Sequence, residues 1–281
     1  MFRRAVPYVL GGVLLALLLW GFWIEPSGLS KKNYQIALQG WPKACDNLTV
    51  AVVADLHIGA PYYGLARLTE VVDMVNAIQP DLVLLAGDYV THKVLFGTAV
   101  APETVAPGLA GLKAKMGVFA VLGNHDWWVG GRRIHHSLEH AGITVLEDAS
   151  VEIVRGGCHF FLAGISDYWE GFHDIGKALA GIPDKAAIVA LTHNPDVFVD
   201  IPQRVAITFA GHTHGGQVNL PLIGPPVTMS QYGQRFVSGH IIEEGHHLFV
   251  SPGLGTSILP VRFRVPPEIS VVTLQTGEGT K

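Results

Sequence analysis

Five short apolar runs constrain the fold of this 281-residue chain more than any other feature of its sequence. Each is five to seven residues long and rich in valine, leucine or alanine, which is typical of a strand buried on both faces. Helical patterns of apolar residues follow the first three runs, at 65–78, 103–115 and 132–141. Because strands and helices alternate, the sequence predicts an α/β fold with a parallel central sheet. The five runs are 48–54, 82–86, 118–122, 187–191 and 205–210.

The chain after Gly142 is richer in short strands. One short helix is predicted among them, near 175–180. No internal repeat and no low-complexity segment divides this region, so a single catalytic domain is the simplest organisation. The additional strands are predicted at 144–146, 151–154, 159–163, 248–250 and 269–274.

The N-terminal segment 5–24 carries no charged residue and has no polar face. Twenty helical residues span roughly 30 Å, which matches the hydrocarbon core of a bilayer. Trp20 and Trp23 suit the membrane interface. An uncleaved anchor is favoured over a cleaved signal peptide, because the run is long and no small-x-small site follows it. The Arg3-Arg4 pair could also belong to a twin-arginine export signal, although the surrounding residues match that pattern poorly.

The charges that flank this segment predict on which side the rest of the chain lies. Arg3 and Arg4 hold the N-terminus in the cytoplasm by the positive-inside rule, although Lys31 and Lys32 on the far side weaken the bias. We therefore expect a single-pass protein of the bacterial inner membrane, with its catalytic domain on the periplasmic, extracytoplasmic side.

Composition excludes one class of partner. The net charge is −4 and no basic run is present, so nothing indicates nucleic-acid binding. Cys45 and Cys158 are too few for a disulfide framework and fit no zinc motif. They form either one bridge outside the cytosol or two unrelated thiols. The chain has 14 histidines, which is a high number for its length.

Polar side chains of metal-binding types follow all five apolar runs. Taken singly, Asp55 and Asp88 fit a turn or a helix N-cap, and Asn124 fits a turn. Five such strand ends in one domain are hard to explain by packing, and open α/β sheets bind ligands beyond the carboxyl ends of their strands. Manganese, iron and zinc all accept carboxylate, imidazole and amide oxygen. The predicted metal ligands are Asp55, His57, Asp88, Asn124, His193, His212 and His214.

Seven ligands suffice for two divalent metal ions if one carboxylate bridges them. Two ions roughly 3.5–4 Å apart can hold both the attacking and the leaving oxygen of a phosphoryl transfer. The predicted cofactors are therefore two divalent ions of manganese, iron or zinc. Outside these motifs, Trp127 and Trp128 either line a substrate groove or pack under their loop, and packing is favoured since large aromatic residues are mostly buried. The other histidines share no spacing with the motifs and are predicted to be solvated.

In order and completeness, these motifs resemble the motif set of the calcineurin-like metallophosphoesterases. The likeness covers about 48–274, and its flanking features at 215–217, 251–255 and 262–269 are similar to a branch of membrane-associated bacterial phosphodiesterases. The motifs that carry it are Asp55-x-His57, Gly87-Asp88, Gly123-Asn124-His125-Asp126, His193 and Gly211-His212-x-His214.

The resemblance implies a fold and a role for each motif residue. The fold is a two-sheet β-sandwich flanked by helices, the metallo-dependent phosphatase fold, in which the strand-rich second half supplies the second sheet. Asp88 would bridge the metals, and His125 would face the substrate as a catalytic residue without binding metal. Asp55, His57 and His214 would hold the first ion, and Asn124, His193 and His212 the second.

The expected function is that of a dinuclear metal-dependent phosphodiesterase. Its phosphoester substrate is expected to be a lipid or lipid-linked phosphodiester or pyrophosphate at the membrane. The alternatives are a phosphomonoesterase or nucleotide phosphohydrolase with the same site, and a non-catalytic membrane-anchored adaptor. The predicted domains are an N-terminal transmembrane anchor at 1–26, a linker at 27–47 and the catalytic domain at 48–281. Within the linker, 34–38 fits an edge strand.

Overall fold

The computed structural model describes residues 2–277, with side chains from residue 6 onward, and these residues form two six-stranded sheets. The spatial order is β1-β12-β2-β3-β4-β5 in the first sheet and β10-β11-β9-β8-β7-β6 in the second. The strands are β1 (Ser30–Leu38), β2 (Leu48–Val53), β3 (Leu82–Leu85), β4 (Val118–Ala120), β5 (Thr144–Val145), β6 (Ala149–Arg155), β7 (Cys158–Ile165), β8 (Ile188–Thr192), β9 (Ile207–Ala210), β10 (Gly239–Glu243), β11 (His246–Val250) and β12 (Glu268–Thr276).

Each sheet has a parallel centre. Strands β2 to β5 run parallel in the first sheet, and β7, β8, β9 and β11 run parallel in the second. The apolar runs alone predicted one parallel sheet, which was incomplete, because there are two sheets and both are mixed. Strand β12 runs antiparallel to β2, and the edge strands β6 and β10 are antiparallel to their neighbours. The two-sheet sandwich with flanking helices is confirmed.

Alternate residues of the central strands face different apolar layers. Val50 and Val52 face the second sheet and pack with Phe160 and Phe209, whereas Ala51 and Val53 face the helices. All are at most 1% exposed, and burying a side chain of valine or phenylalanine size contributes about 1.5–3 kcal/mol. The continuous apolar runs in the sequence follow from burial on both faces of the sheet.

The helices lie on the outer faces of the sandwich. The helix Leu65–Ile78 has the bounds that the sequence predicted. The predicted helix 103–115 ends earlier, at Leu109, after Pro107 and Gly108. The predicted helix 132–141 begins eight residues earlier, at Asn124, and a left-handed Gly130 (φ 143°) kinks it. The helices are α1 (Phe2–Leu19), α2 (Leu65–Ile78), α3 (Pro102–Leu109), α4 (Asn124–His140) and α5 (Ile175–Ala178).

Helix α1 continues into a π-helical turn at Trp20–Ile24 and is exposed along almost its whole length. The stretch Val6–Ile24 has a mean hydropathy of 1.9, so it is long and apolar enough to cross a membrane, a test that a signal sequence also passes. Its last turn contacts the rest of the protein, where Arg262 N–H donates to the carbonyl of Gly21 (2.9 Å). The side chains of Arg3 and Arg4, on which the orientation was predicted, lie outside the described side chains.

The predicted linker contains a strand of the first sheet. Strand β1 pairs with β12 along its whole length, from Ser30 beside Glu268 to Leu38 beside Thr276. The chain between the helix and the sandwich is therefore short, because Ser30–Leu38 within 27–47 belongs to the sheet. The division at 1–26, 27–47 and 48–281 stays a prediction, and its outer ends, Met1 and 278–281, lie outside the described residues.

Cys45 and Cys158 form a disulfide, which decides between the two alternatives that the sequence left open. Cys45 ends a 3₁₀ turn before β2, Cys158 begins β7, and both are buried. The bridge therefore ties the segment before the first sheet to the second sheet, across 113 residues of sequence.

Replacing both cysteines by alanine should lower the free energy of unfolding by roughly 2–5 kcal/mol, because the cross-link restricts the unfolded chain. Thermal unfolding of the full chain in detergent measures the change, with and without reductant. The double variant also controls for other effects of the reductant, since reductant should lower the melting temperature of the parent protein and leave that of the variant unchanged. Two reactive thiols in the denatured, unreduced parent protein would contradict the pairing.

Candidate metal centre

The carboxyl ends of five strands, three from the first sheet and two from the second, meet at one edge of the sandwich. Backbone hydrogen bonds continue past the strand ends and align the loops, for example from Asp55 N–H to Gly87 O (3.0 Å) and from Gly211 N–H to His193 O (2.9 Å). The structure brings all eight predicted site residues to this edge, and each is at most 8% exposed: Asp55, His57, Asp88, Asn124, His125, His193, His212 and His214.

Five of these residues have left-handed backbone conformations. Their φ values are 52° for Asp55, 42° for His57, 58° for Asp88, 70° for His212 and 52° for His214. Such conformations cost a non-glycine residue about 1–3 kcal/mol each and persist where the surroundings fix them, most often at functional sites. These left-handed turns let the five side chains converge on the same region beyond the strand ends.

Two glycines of the motifs make room for the carboxylates. A Cβ atom on Gly123 would lie 2.2 Å from Asp88 Oδ1, and one on Gly211 would lie 2.8 Å from Asp55 Oδ2. The glycines therefore allow the carboxylates to approach the neighbouring backbone, where Asp55 Oδ1 accepts a hydrogen bond from His212 N–H (3.0 Å).

The first group of donor atoms comprises Asp55, His57, Asp88 and His214. His57 Nε2 lies 3.0 Å from His214 Nε2 and 3.4 Å from Asp88 Oδ2. His214 Nε2 lies 3.6 Å from Asp55 Oδ1, and one donor atom from each of the four residues lies within 4.8 Å of the others. Two imidazoles and two carboxylates that converge in this way fit a divalent transition metal.

The second group comprises Asn124, His193 and His212. Asn124 Oδ1 lies 3.1 Å from His193 Nε2 and 3.0 Å from His212 Nδ1, and the two ring nitrogens are 3.1 Å apart. His193 Nε2 is also 3.5 Å from Asp88 Oδ2. One oxygen of Asp88 therefore faces both groups, as a bridging ligand must.

Hydrogen bonds outside the groups fix which ring nitrogen faces inward. His193 Nδ1–H donates to the carbonyl of Ala86 (2.7 Å), and His212 Nε2–H donates to that of Met229 (3.1 Å). In the neutral, metal-binding form of each ring, the lone pairs of His193 Nε2 and His212 Nδ1 then face the same space as Asn124 Oδ1. Hydrogen bonds made by the other ring nitrogen are the usual means of orienting histidine ligands.

Burial keeps most of the imidazoles neutral. It lowers the pKa of both His57 and His212 to about 3, and that of His214 well below its usual value. Burial would also lower the pKa of His193, but the Asp88 carboxylate raises it well above its ordinary range. Neutral imidazole is the form that binds metal, so the first group is ready to bind without losing protons from its histidines.

Among the described residues, no lysine or arginine side chain forms a hydrogen bond with Asp55 or Asp88, whose partners are backbone N–H groups and histidines. Burial raises the pKa of Asp55 to about 7, helped by the charge of Asp88. The buried Arg262 guanidinium donates to the carbonyls of Gly255, Pro252 and Val265 and so makes no hydrogen bond to these carboxylates. Cations placed between the two groups would supply the missing charge, and the donor set therefore fits the predicted metals.

His125 and Asp126, in the first turn of α4, support the site without joining either group. His125 N–H donates to Asp88 Oδ1 (2.9 Å), and its ring faces that of His57 at 4.6 Å. The Asp126 carboxylate accepts hydrogen bonds from the backbone N–H groups of Asp88 (2.7 Å), Tyr89 and Gly123 (both 2.9 Å). Asp126 therefore ties the loop after β3 to the loop after β4.

A cavity of about 540 Å³ opens from the two groups to the surface. Trp128 and Trp169 form one wall, and Trp169 meets the His212 ring edge to face at 4.5 Å. The expectation that Trp128 packs under its loop was wrong, since it is 43% exposed, whereas its neighbour Trp127 does pack on the core. Sequence reasoning also missed several other lining residues because they lie on loops away from strand ends: His92, Lys93, Met229, Ser257 and Ile258.

Comparison with known proteins bears on the same residues. The sequence profile described as Calcineurin-like phosphoesterase matches residues 48–216. The chain is 31% identical to the uncharacterized metallophosphoesterase YkuE of Bacillus subtilis (strain 168) over 258 residues, which covers 90% of this chain and 88% of that relative. It is also 31% identical to phosphodiesterase YaeI of Escherichia coli (strain K12) over 232 residues, covering 80% and 81%.

Among solved structures, the NAD nucleotidase NadN of Haemophilus influenzae aligns with a TM-score of 0.47 and 16% identity. The alignment covers 74% of this chain, which spans only 45% of the NadN chain.

Divalent metal should stabilise the chelator-treated protein, because the ions would bind the folded state only. At about 100 times the dissociation constant, manganese should raise the melting temperature by roughly 5–10 °C. Asp88→Asn should remove most of this shift, since it weakens the ligand that both groups share. The measurement is differential scanning fluorimetry of the full chain.

The matched control is Asp81→Asn, at the other end of the same strand. Asp81 accepts a hydrogen bond from Thr49 N–H and pairs with Lys115, away from the site. The Asp81→Asn variant should keep the full rise in melting temperature on addition of manganese. An undiminished shift in Asp88→Asn would contradict the shared-ligand role.

Proposed function

Because the chain belongs to the calcineurin-like phosphoesterase family, we propose that it is a membrane-anchored dinuclear phosphodiesterase whose substrate is a lipid or lipid-linked phosphodiester or pyrophosphate. Membership makes it a metal-dependent phosphoester hydrolase, so the adaptor alternative is set aside. The observation that carries the lipid substrate is the contact between the apolar helix and the loop that lines the cavity.

Two divalent ions of manganese, iron or zinc would be held by the two groups of donor atoms. One ion would be held by Asp55, His57 and His214. The other would be held by Asn124, His193 and His212, and Asp88 would be shared by both ions. When bound, such ions neutralise charge on phosphoryl oxygens and lower the pKa of water. The protein holds the donors in place beforehand, through the strained turns and the hydrogen bonds of Asp126.

His125 would act on the leaving oxygen of the substrate. Its ring lines the cavity, and Nε2 lies 3.4 Å from Ser257 Oγ across the opening. Burial lowers the pKa of His125, which makes its imidazolium form a stronger proton donor than a solvent-exposed histidine. The imidazolium would give its Nε2 proton to the leaving oxygen as the ester bond breaks, and the ring would be left as a neutral imidazole.

The anchor and the cavity share the loop 257–263. Ser257 and Ile258 line the cavity, while Arg262 N–H donates to Gly21 O in the last turn of the apolar helix. The backbone of Gly21 lies next to this loop, since a Cβ there would be in ordinary van der Waals contact with Val261, at 3.5 Å. The cavity therefore opens close to where the helix would leave the bilayer. Trp128, Trp169, Met229 and Ile258 give it apolar walls suited to a lipid-linked substrate.

We place the catalytic domain on the periplasmic, extracytoplasmic side of a bacterial inner membrane. The disulfide between Cys45 and Cys158 supports this side, because such bridges persist in oxidising compartments. The Arg3-Arg4 pair before the apolar segment supports it as well.

His125→Asn should lower the turnover number about 10²–10⁴-fold for a diester with an alkoxide leaving group, because general acid catalysis contributes that much. The loss should be much smaller for bis(p-nitrophenyl) phosphate, since p-nitrophenolate leaves without a proton. The measurement uses the full chain in vesicles with manganese and a bacterial lipid extract, and follows the lipid phosphodiesters by mass spectrometry.

His136→Asn, on the solvent side of α4, is the control and should leave both rates unchanged. Hydrolysis of bis(p-nitrophenyl) phosphate but of no lipid component would overturn the lipid substrate and leave the hydrolase. Equal losses on both leaving groups would contradict the proton-donor role of His125.

A further inference from the structure

We propose that a second, non-helical surface of the protein inserts into the bilayer. It lies beside the cavity, which Ile258 lines, and holds the mouth of the cavity against the membrane. We call this surface the apolar rim. The inference rests on the proposed membrane anchoring and is independent of which phosphoester is cleaved. The apolar rim consists of Leu95, Phe96, Leu222, Ile223, Ile258 and Leu259.

The apolar rim is unusually exposed. Phe96 is 83% exposed, Leu222 is fully exposed, and Ile223 and Ile258 are 66% and 59% exposed. Soluble proteins rarely leave contiguous apolar side chains in water, and those that do use them to contact a partner or a membrane.

The apolar rim lies on three loops, 94–102, 218–234 and 251–261 in chain order, which we call the rim loops. Hydrogen bonds join them into one surface. Leu95 N–H donates to Ile258 O (2.9 Å), which links the first loop to the third. The Gln217 side chain accepts from Ser257 N–H (2.6 Å) and so links the second loop to the third. Leu222 and Ile223 lie at the tip of a turn closed by paired bonds between Leu220 and Gly224.

The same surface continues into the membrane helix. Asn219 N–H donates to Phe263 O, and the neighbouring Arg262 N–H donates to Gly21 O, both at 2.9 Å. On the other side of the helix end, Tyr62 donates to Phe22 O (2.8 Å), and the Trp23 ring lies 6.4 Å from that of Tyr62. The apolar rim is therefore attached next to the point where the helix would meet the lipid headgroups.

The absence of charged residues in the rim loops favours a membrane over a protein as the partner of this surface. The rim loops carry no charged residue over 94–102, 218–234 and 251–261. Insertion into the headgroup and upper acyl region therefore desolvates no ion. The nearest charged residues in the sequence, Lys93, Glu103, Arg235 and Arg262, lie at the ends of these stretches and not within them. A lipid bilayer is the occupant that fits an uncharged surface beside a membrane helix.

The test places one environment-sensitive fluorophore on a single introduced cysteine in the full chain. The native cysteines are paired and buried, so they should not react. The rim positions are Leu222→Cys and Phe96→Cys, on two different loops. The protein is reconstituted in phosphatidylcholine–phosphatidylglycerol vesicles, with or without a quencher attached to the acyl chains.

Two reference positions make the result decisive. Val154→Cys is the matched control. Val154 is also apolar and exposed (65%), but it pairs with His159 at the start of β7, at the end of the sheet away from the site. Leu14→Cys lies within the apolar helix and reports on the anchor itself.

Acyl-chain quenching at Leu222, Phe96 and Leu14, with none at Val154, is the expected result. Quenching at Leu14 with none at the two rim positions would overturn the apolar rim while the anchor stands, and would point to a protein partner. No quenching at Leu14 would overturn the anchoring and the apolar rim together. The readout does not involve turnover, so it is separate from any failure of the proposed activity.

Discussion

One carboxylate oxygen, Asp88 Oδ2, lies 3.4 Å from His57 Nε2 and 3.5 Å from His193 Nε2, and much of the structure depends on this position. The two histidines come from different sheets, so the sandwich must bring β2, β3 and β8 to a common edge. Asp88 follows β3 in a left-handed turn, and Asp126 holds that turn by accepting two of its N–H groups. Such preorganisation is what binding and polarising a phosphate group requires.

The sequence predicted the elements whose pattern is set by burial. Helix α2 has its predicted bounds because one apolar face packs on the sheet, and the strands that end at the site were visible as continuous apolar runs. Helix α4 was placed too late because Gly130 interrupts its pattern. Strand β10 escaped notice because its side chains are only partly buried. The site residues were found by their positions after strands, whereas His92 and Trp169 lie on loops that no periodicity marks.

The connection between membrane helix and site could not be read from the sequence. The residues 27–47 were predicted as a tether with one edge strand at 34–38, but the partner of that strand could not be predicted. Strand β1 pairs with β12, and Arg262 N–H binds Gly21 O, 241 positions away in sequence. A helix fixed in this way gives the catalytic domain a defined tilt on the membrane. In the proposed membrane-bound arrangement, the uncharged loops 94–102, 218–234 and 251–261 would face the bilayer together with the cavity.

Anomalous diffraction from crystals of the full chain grown with manganese tests the central claim most directly. The predicted result is two peaks roughly 3.5–4 Å apart, both next to Asp88 Oδ2. One should lie on the side of His57 and His214, and the other on the side of His193 and His212. A single peak at only one of the groups, or no peak near Asp88, would contradict a dinuclear centre built on a shared carboxylate.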